Sequence, residues 1–196
     1  MKFTITAKDY NEIVKLGKLF AAGKLYSRES LQYIHLWVSP GEACVELFAE
    51  SSDGHVYGCV NAQFESYEDD HKQPKDFLLP ATITKAFAGS TIEFNVGDDQ
   101  IVIREIQKND QVLTTNIKKE FAGVYPDFKK VLPDKETSSK AQIFSGKTFA
   151  KLAGFFGSDE QFNVWFRETA LYLGNENKIC VSMAVKRGEI ENVLRR

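Results

Sequence analysis

Asp53, His55 and Cys59 are the closest approach this sequence makes to a reactive constellation. His55 and Cys59 lie four apart on a segment that reads as a strand, which puts them on one face about 13 Å apart by strand rise. Neither a metal site nor a nucleophile–base pair follows from that spacing. The chain has no HExxH, no phosphate-binding glycine loop of the Walker type and no dinucleotide fingerprint, while His35 and His71 stand alone in a strand and a loop. Cys44, Cys59 and Cys180 are odd in number and sit in apolar strand-like sequence, as buried reduced thiols do. No catalytic residue, metal or cofactor is therefore expected. Only a constellation assembled purely in space would escape this reading.

Binding chemistry remains. With 43% hydrophobic and 27% charged residues and 15 Phe among 196, the chain has ample material for a core. A formal charge of -2 and a pI near 6.0 exclude a protein that is basic all over, so any contact with nucleic acid must use a local face. Met1 to Thr6 alternates like a strand and lacks the apolar core of a signal peptide, and no run is long enough to span a bilayer. A cytoplasmic protein with no membrane partner is expected.

The elements repeat. Phe3–Thr6 reads as a strand; Tyr10, Ile13, Val14, Gly17, Phe20 and Ala21 follow a helical period that Gly23 ends. Strands are expected over Leu31–Val38, Ala43–Ala49 and Val56–Phe64, the last two joined by the Ser52-Asp53-Gly54-His55 turn. Glu65–Lys75 reads as an acidic loop. The plan then restarts with a strand at Phe77–Pro80, a short helix over Ala81–Ala88, and strands over Thr91–Val96, Ile101–Ile106 and Val112–Ile117. A connector follows, Val124 to Pro133, whose two prolines can continue neither helix nor ladder. A third copy comes after it: a strand at Ala141–Phe144, a helix from about Lys147 to Phe156, and strands over Phe162–Arg167, Ala170–Leu173 and Ile179–Lys186. Both Ala86–Val96 and Ala153–Val164 run from a helix end through Gly-Ser to a strand ending Phe-Asn-Val. One β-α-β-β-β unit is too small to bury its own apolar faces, so units are expected to pair.

Tyr125-Pro126-Asp127-Phe128-Lys129-Lys130-Val131-Leu132-Pro133, Phe77-Leu78-Leu79-Pro80 and Ser52-Asp53-Gly54-His55 resemble the sliding clamp family, the beta subunit of bacterial replicative DNA polymerase. Val181-Ser182-Met183-Ala184-Val185-Lys186 is similar to that family's C-terminal strand. The resemblance implies an α+β, DNA-clamp-like fold of repeated half-domains. Residues 1–133 then form one complete domain (halves 1–64 and 77–120, linker 121–133), 138–187 a third half, and 188–196 a tail. A full family member has three such domains, so this chain is shortened to one and a half. The implied function is that of a processivity factor around double-stranded DNA, read without sequence preference. Its implied partners are peptides of the DNA polymerase and clamp-loader type.

The same resemblance carries over site residues. A peptide pocket would use Ser52, Gly54, His55, Val56, Tyr57, Leu132, Pro133, Val181 and Met183, with Tyr57 in place of the family's leucine and Val56 in place of its arginine. Helix lysines would face phosphates through water: Lys8, Lys15, Lys18 and Lys24 in the first unit, Lys85 in the second, Lys147 and Lys151 in the third. A module that binds or competes for such peptides without encircling DNA is the alternative. The third unit, lacking a partner half, is expected to self-associate through residues 141–187. Family rings hold six domains, so three halves per chain imply a ring of four chains.

Overall fold

The computed structural model describes residues 1–23, 28–40, 45–68, 76–119, 124–128, 145–167 and 170–183. Thr6 ends strand β1 (Lys2–Thr6) and caps helix α1 (Ala7–Phe20), its hydroxyl accepting the Asp9 N–H at 3.1 Å. Tyr10, Ile13, Val14, Leu16, Gly17 and Phe20 form the buried stripe of that helix. It stops before Gly23 because the Ala22 N–H leaves the helix ladder for the Leu31 carbonyl at 2.8 Å.

Strands β2 (Tyr33–Pro40), β3 (Val45–Ser52) and β4 (Val56–Ala62) follow, β2 entered through a 3-10 turn at Glu29–Gln32 that takes up the expected start at Leu31. The chain then turns at Gln63 into β5 (Phe64–Glu68), where an acidic loop was expected. β5 is a strand because β1 offers it an edge: Phe64 packs edge-on to Phe3 at 5.2 Å and Ser66 bonds Thr4 at 2.8 Å.

After β6 (Asp76–Pro80) the expected helix over Ala81–Ala88 is absent; turns occupy 81–82 and 88–89. The cause is tertiary. Asn11 of α1 donates to the Ala86 carbonyl at 3.1 Å and accepts its N–H at 2.9 Å, satisfying in one clamp the groups a helix would have paired. Strands β7 (Thr91–Val96), β8 (Gln100–Ile106) and β9 (Val112–Lys118) complete the second unit. Helix α2 (Gly146–Ala153) and strands β10 (Asn163–Arg167), β11 (Ala170–Gly174) and β12 (Lys178–Met183) make up the third; Ala141–Phe144 lies outside the described residues.

Among the described residues all pairings are antiparallel and form two sheets, β5-β1-β7-β8-β9 and β10-β11-β12-β4-β3-β2-β6. The first two units exchange their leading strands: β1 joins β7 of the second, and β6 joins β2 of the first. Between the sheets and α1 lies one core, containing Phe3, Ile5, Leu16, Phe20, Ile34, Leu36, Phe94 and Ile103. Gly58 lets α1 approach β4, since a Cβ there would sit 2.6 Å from the Phe20 ring.

The third unit is not left without a partner in the chain, as the sequence reading had it. β12 pairs with β4 from Lys178↔Val60 to Ser182↔Val56, so its sheet continues the first unit's. Phe155, just past α2, meets Phe20 edge-on at 5.1 Å. Half-exposed apolar side chains persist on the outlying part of the unit, at Phe149, Val164 and Phe166. No helix among the described residues is long and apolar enough to cross a membrane.

Candidate peptide pocket and helix face

The Ser52–His55 turn is built by its own side chains. Asp53 accepts the N–H groups of His55 and Val56, each at 2.9 Å, and Ser52 Oγ accepts the Gly54 N–H at 3.0 Å while donating to the Val56 carbonyl at 2.8 Å. Gly54 takes a φ of 91°, which favours glycine. The second Asp53 oxygen meets Lys151 of α2 at 2.9 Å. Burial opposes ionisation of Asp53, but Lys151 and the two backbone donors outweigh it and hold the carboxyl below its usual range.

Beside this turn is a cavity of about 130 Å³, lined by Ser52, Gly54, His55, Val56, Tyr57, Phe128, Val181 and Met183. The antiparallel pairing Val181↔Tyr57 across β12 and β4 brings its two walls together. Leu132 and Pro133 lie outside the described residues. Phe128 was not among the residues expected to form the pocket; it comes from the connector and its ring stands 5.1 Å from that of Tyr57. The volume suits one apolar side chain, well below the several hundred Å³ that encloses a whole small ligand.

Under the pocket runs a polar chain that single-sequence reading missed. Tyr57 donates to Glu50 Oε2 at 2.8 Å, Glu50 Oε1 meets His35 Nδ1 at 2.8 Å, and His35 Nε2 meets Asp76 Oδ2 at 3.2 Å. His35 thus does not stand alone, and it satisfies both carboxylates only with an N–H at each nitrogen. Burial, with Cys59 and Glu50 adding to it, raises the Tyr57 phenol far above its ordinary value, so the hydroxyl stays a donor. Tyr125 lies tilted over His35 at 4.8 Å and meets Phe128 at 5.7 Å, tying the connector to the outer face of the sheet. His71 and Cys44 are outside the described residues; Cys59 is half-buried, and burial pushes the Cys180 thiol up to about 12. Among the described residues no group of three His, Cys, Asp or Glu gathers to hold a metal.

Both helices pack on the opposite face of the seven-stranded sheet, where the Cys180 thiol meets the Leu152 carbonyl at 3.7 Å. Lys8 and Lys18 are exposed on α1 and Lys147 on α2. Lys15 and Lys151 are engaged within the chain: Lys15 donates to the Phe155 carbonyl at 2.8 Å, and Lys151, paired with Asp53, lies 5.6 Å over the Phe20 ring. Lys85 is exposed on the irregular segment after β6, and Lys24 is outside the described residues.

No family model matches the chain, and no curated protein matches it in sequence. Solved structures do match in shape. The DNA polymerase sliding clamp from Bacillus subtilis has a TM-score of 0.67 at 15% identity, over 95% of this chain and 65% of that one. The DNA polymerase III beta chain from Streptococcus pneumoniae has a TM-score of 0.68 at 14% identity, with the same coverage. The chain has the sliding-clamp fold. The Helicobacter pylori beta clamp bound to a DNA ligase peptide matches at a TM-score of 0.58 and 13% identity, over 95% of this chain and 67% of its own. This sliding-clamp-like chain spans 65% of the length of the first two.

Proposed function

We propose that this chain is a non-catalytic, clamp-like protein of DNA replication that binds linear peptides of polymerase and clamp-loader type through an apolar anchor in the pocket beside the Ser52–His55 turn. The observation that carries the reading is the meeting of β4, β12 and the connector in a one-side-chain cavity, with Ser52, Gly54, His55, Val56, Tyr57, Val181 and Met183 around it. Leu132 and Pro133 extend the proposed pocket along the connector. In this reading residues 1–133 act as one complete clamp domain, 138–187 as a third half and 188–196 as a tail, and the protein works in the cytoplasm. A fluorescent peptide with paired apolar residues should bind, and Phe128→Ala together with Met183→Ala should weaken it by about tenfold or more. Equal affinity for the wild type and the double variant in fluorescence anisotropy would remove the pocket reading.

Two readings of the DNA role have support. Half-exposed Phe149 and Val164 favour self-association through residues 141–187, and with it a ring around double-stranded DNA. Lys8, Lys18 and Lys147, with Lys24 and Lys85, would face the phosphates. The engagement of Lys15 and Lys151 within the chain, and the missing second-unit helix, favour a module that binds peptides without encircling DNA. Retention on circular DNA that is lost on linearisation supports the ring; retention on neither, with peptide binding intact, supports the module.

A further inference from the structure

The far corner of the seven-stranded sheet, away from the peptide pocket, holds a cavity of its own. There the hairpin from β11 to β12 turns at 175–177 beside the start of β10. An open cleft of about 390 Å³ lies between them, lined by Trp165, Gln161, Asn163 and the turn residues Asn175, Glu176 and Asn177, with Gly174 among them. We propose that this cleft binds a neutral saccharide, whose ring rests on the Trp165 indole and whose hydroxyls meet the amides around it.

The indole is seated for this role. Trp165 stands opposite Tyr172 across β10 and β11, and its ring leans along the sheet until Cη2 reaches the next residue on that face, Gly174. A Cβ at Gly174 would stand 3.2 Å from that carbon, tighter than an ordinary contact, so glycine leaves the half-buried indole its place against β11. Tyr172 flanks it at 6.5 Å. The turn is fixed as well. Asn175 Oδ1 accepts the N–H groups of Asn177 and Lys178 at 3.1 and 3.0 Å, and Asn175 Nδ2 donates to the Gln161 carbonyl at 3.4 Å. The Asn61 N–H of β4 donates to the Asn177 carbonyl at 2.8 Å. A rim already held by the fold loses little freedom when a ligand arrives.

The lining selects the ligand. The side-chain amides of Gln161, Asn163 and Asn177 form no hydrogen bond with another described residue. Each offers a donor and an acceptor, which matches a hydroxyl that both gives and takes a hydrogen bond. The lining has no lysine, arginine or histidine and one carboxylate, Glu176, so it disfavours phosphates, nucleotides and nucleic acid strands, which are gripped through cations. A wholly apolar ligand would strip water from the amides and pair none of them. A pyranose presents a C–H face to the indole and hydroxyls at its perimeter, and the volume falls within the range of small-molecule clefts. Asn163 and Trp165 alternate along β10 with Val164 and Phe166, so the cleft lies on the opposite face of the strand from that exposed apolar pair. The site therefore depends neither on a contact through Val164 and Phe166 nor on the peptide pocket at β4 and β12.

The test is titration of the full chain with maltose, cellobiose and N,N′-diacetylchitobiose, followed by two-dimensional NMR of the indole and side-chain amide N–H groups. At least one of these sugars should saturate in the millimolar range and shift the Trp165 indole signal while leaving that of Trp37, on β2, in place. Asn163→Ala changes an exposed side chain and should melt like the wild type, yet weaken the sugar by about tenfold or more. Trp165→Leu should abolish saturation; should it fail to fold, Asn163→Ala decides alone. No saturable shift with any of the sugars would overturn the proposal, as would equal affinity for the wild type and Asn163→Ala. Adenosine that shifts the indole where the sugars do not would overturn it too, and assign the cleft to a stacked base. Sugar and peptide are read on different residues, so the loss of either reading leaves the other standing.

Discussion

Replacing Lys178 by alanine should lower the free energy of unfolding by about 3 kcal/mol and loosen the third unit before the rest. Lys178 is 6% exposed, an unusual place for an ammonium group. From β12 it reaches Glu12 of α1 at 2.7 Å and both oxygens of Glu160 at 3.0 Å, lying 5.5 Å over the Phe155 ring. It thus joins the first unit's helix to the third unit's turn and strand. Without it two carboxylates face each other with their shared cation gone, which costs more than the loss of a surface pair. A melting temperature lower by roughly 6 to 12 °C and faster amide exchange in β10–β12 than in β7–β9 are the expected readouts. Lys178→Ala combined with Glu12→Gln and Glu160→Gln should recover part of the loss.

The same cluster sets a pH dependence. Burial opposes ionisation of Glu160, but hydrogen bonds from Lys178 and the Gly157 N–H outweigh it and hold the carboxyl below its usual range. A carboxyl depressed in the folded state contributes its full stability above the unfolded pKa, about 4.3, and loses it as pH falls through the folded value. The difference between wild type and Lys178→Ala should therefore be constant near neutrality and shrink below about pH 4. Denaturation series at several pH values measure it; a difference that grows in acid would contradict the assignment.

What the sequence made legible was local or periodic. Alternation fixes Thr91–Val96 to the residue, and helical spacing finds the buried stripe of α1, because both depend on neighbours along the chain. The misreadings come from partners far away. Ala81–Ala88 has helical local sequence, yet Asn11, 75 residues earlier, takes up the Ala86 backbone. Glu65 and Glu68 suggest solvent, but Phe64 and Tyr67 between them find Phe3 and the edge of β1. Lys15 and Lys151 look like ordinary surface lysines on a helical wheel, and it is the placement of α2 beside α1 and the Ser52–His55 turn that engages them. The pocket divides the same way. Its turn announces itself in Ser-Asp-Gly-His, whereas Phe128 and the Glu50–His35 chain depend on strand register and on where the connector crosses the sheet.

That buried chain carries the second large expected effect. Glu50→Ala should cost about 3 kcal/mol, since it removes the carboxylate that accepts from the buried Tyr57 hydroxyl and that meets His35. Tyr57→Phe should cost less, about 2 kcal/mol, because it strips one donor from a Glu50 that keeps its bond to His35. Glu50→Gln should be milder still. Its amide oxygen can accept from Tyr57 while its NH₂ donates to a neutral imidazole, a pairing that the doubly protonated ring refuses. The consequence for binding follows from geometry: Glu50 holds the hydroxyl end of the Tyr57 ring, and that ring, against Phe128 at 5.1 Å, is a wall of the cavity. With the anchor gone the wall is free to turn into a space sized for one side chain. Peptide affinity should therefore fall by about tenfold in Glu50→Ala and much less in Glu50→Gln. Calorimetric titration of the same peptide into the three variants, each checked for folding by its melting curve, gives the order. A folded Glu50→Ala that binds as tightly as wild type would show that the polar chain supports the sheet and not the pocket.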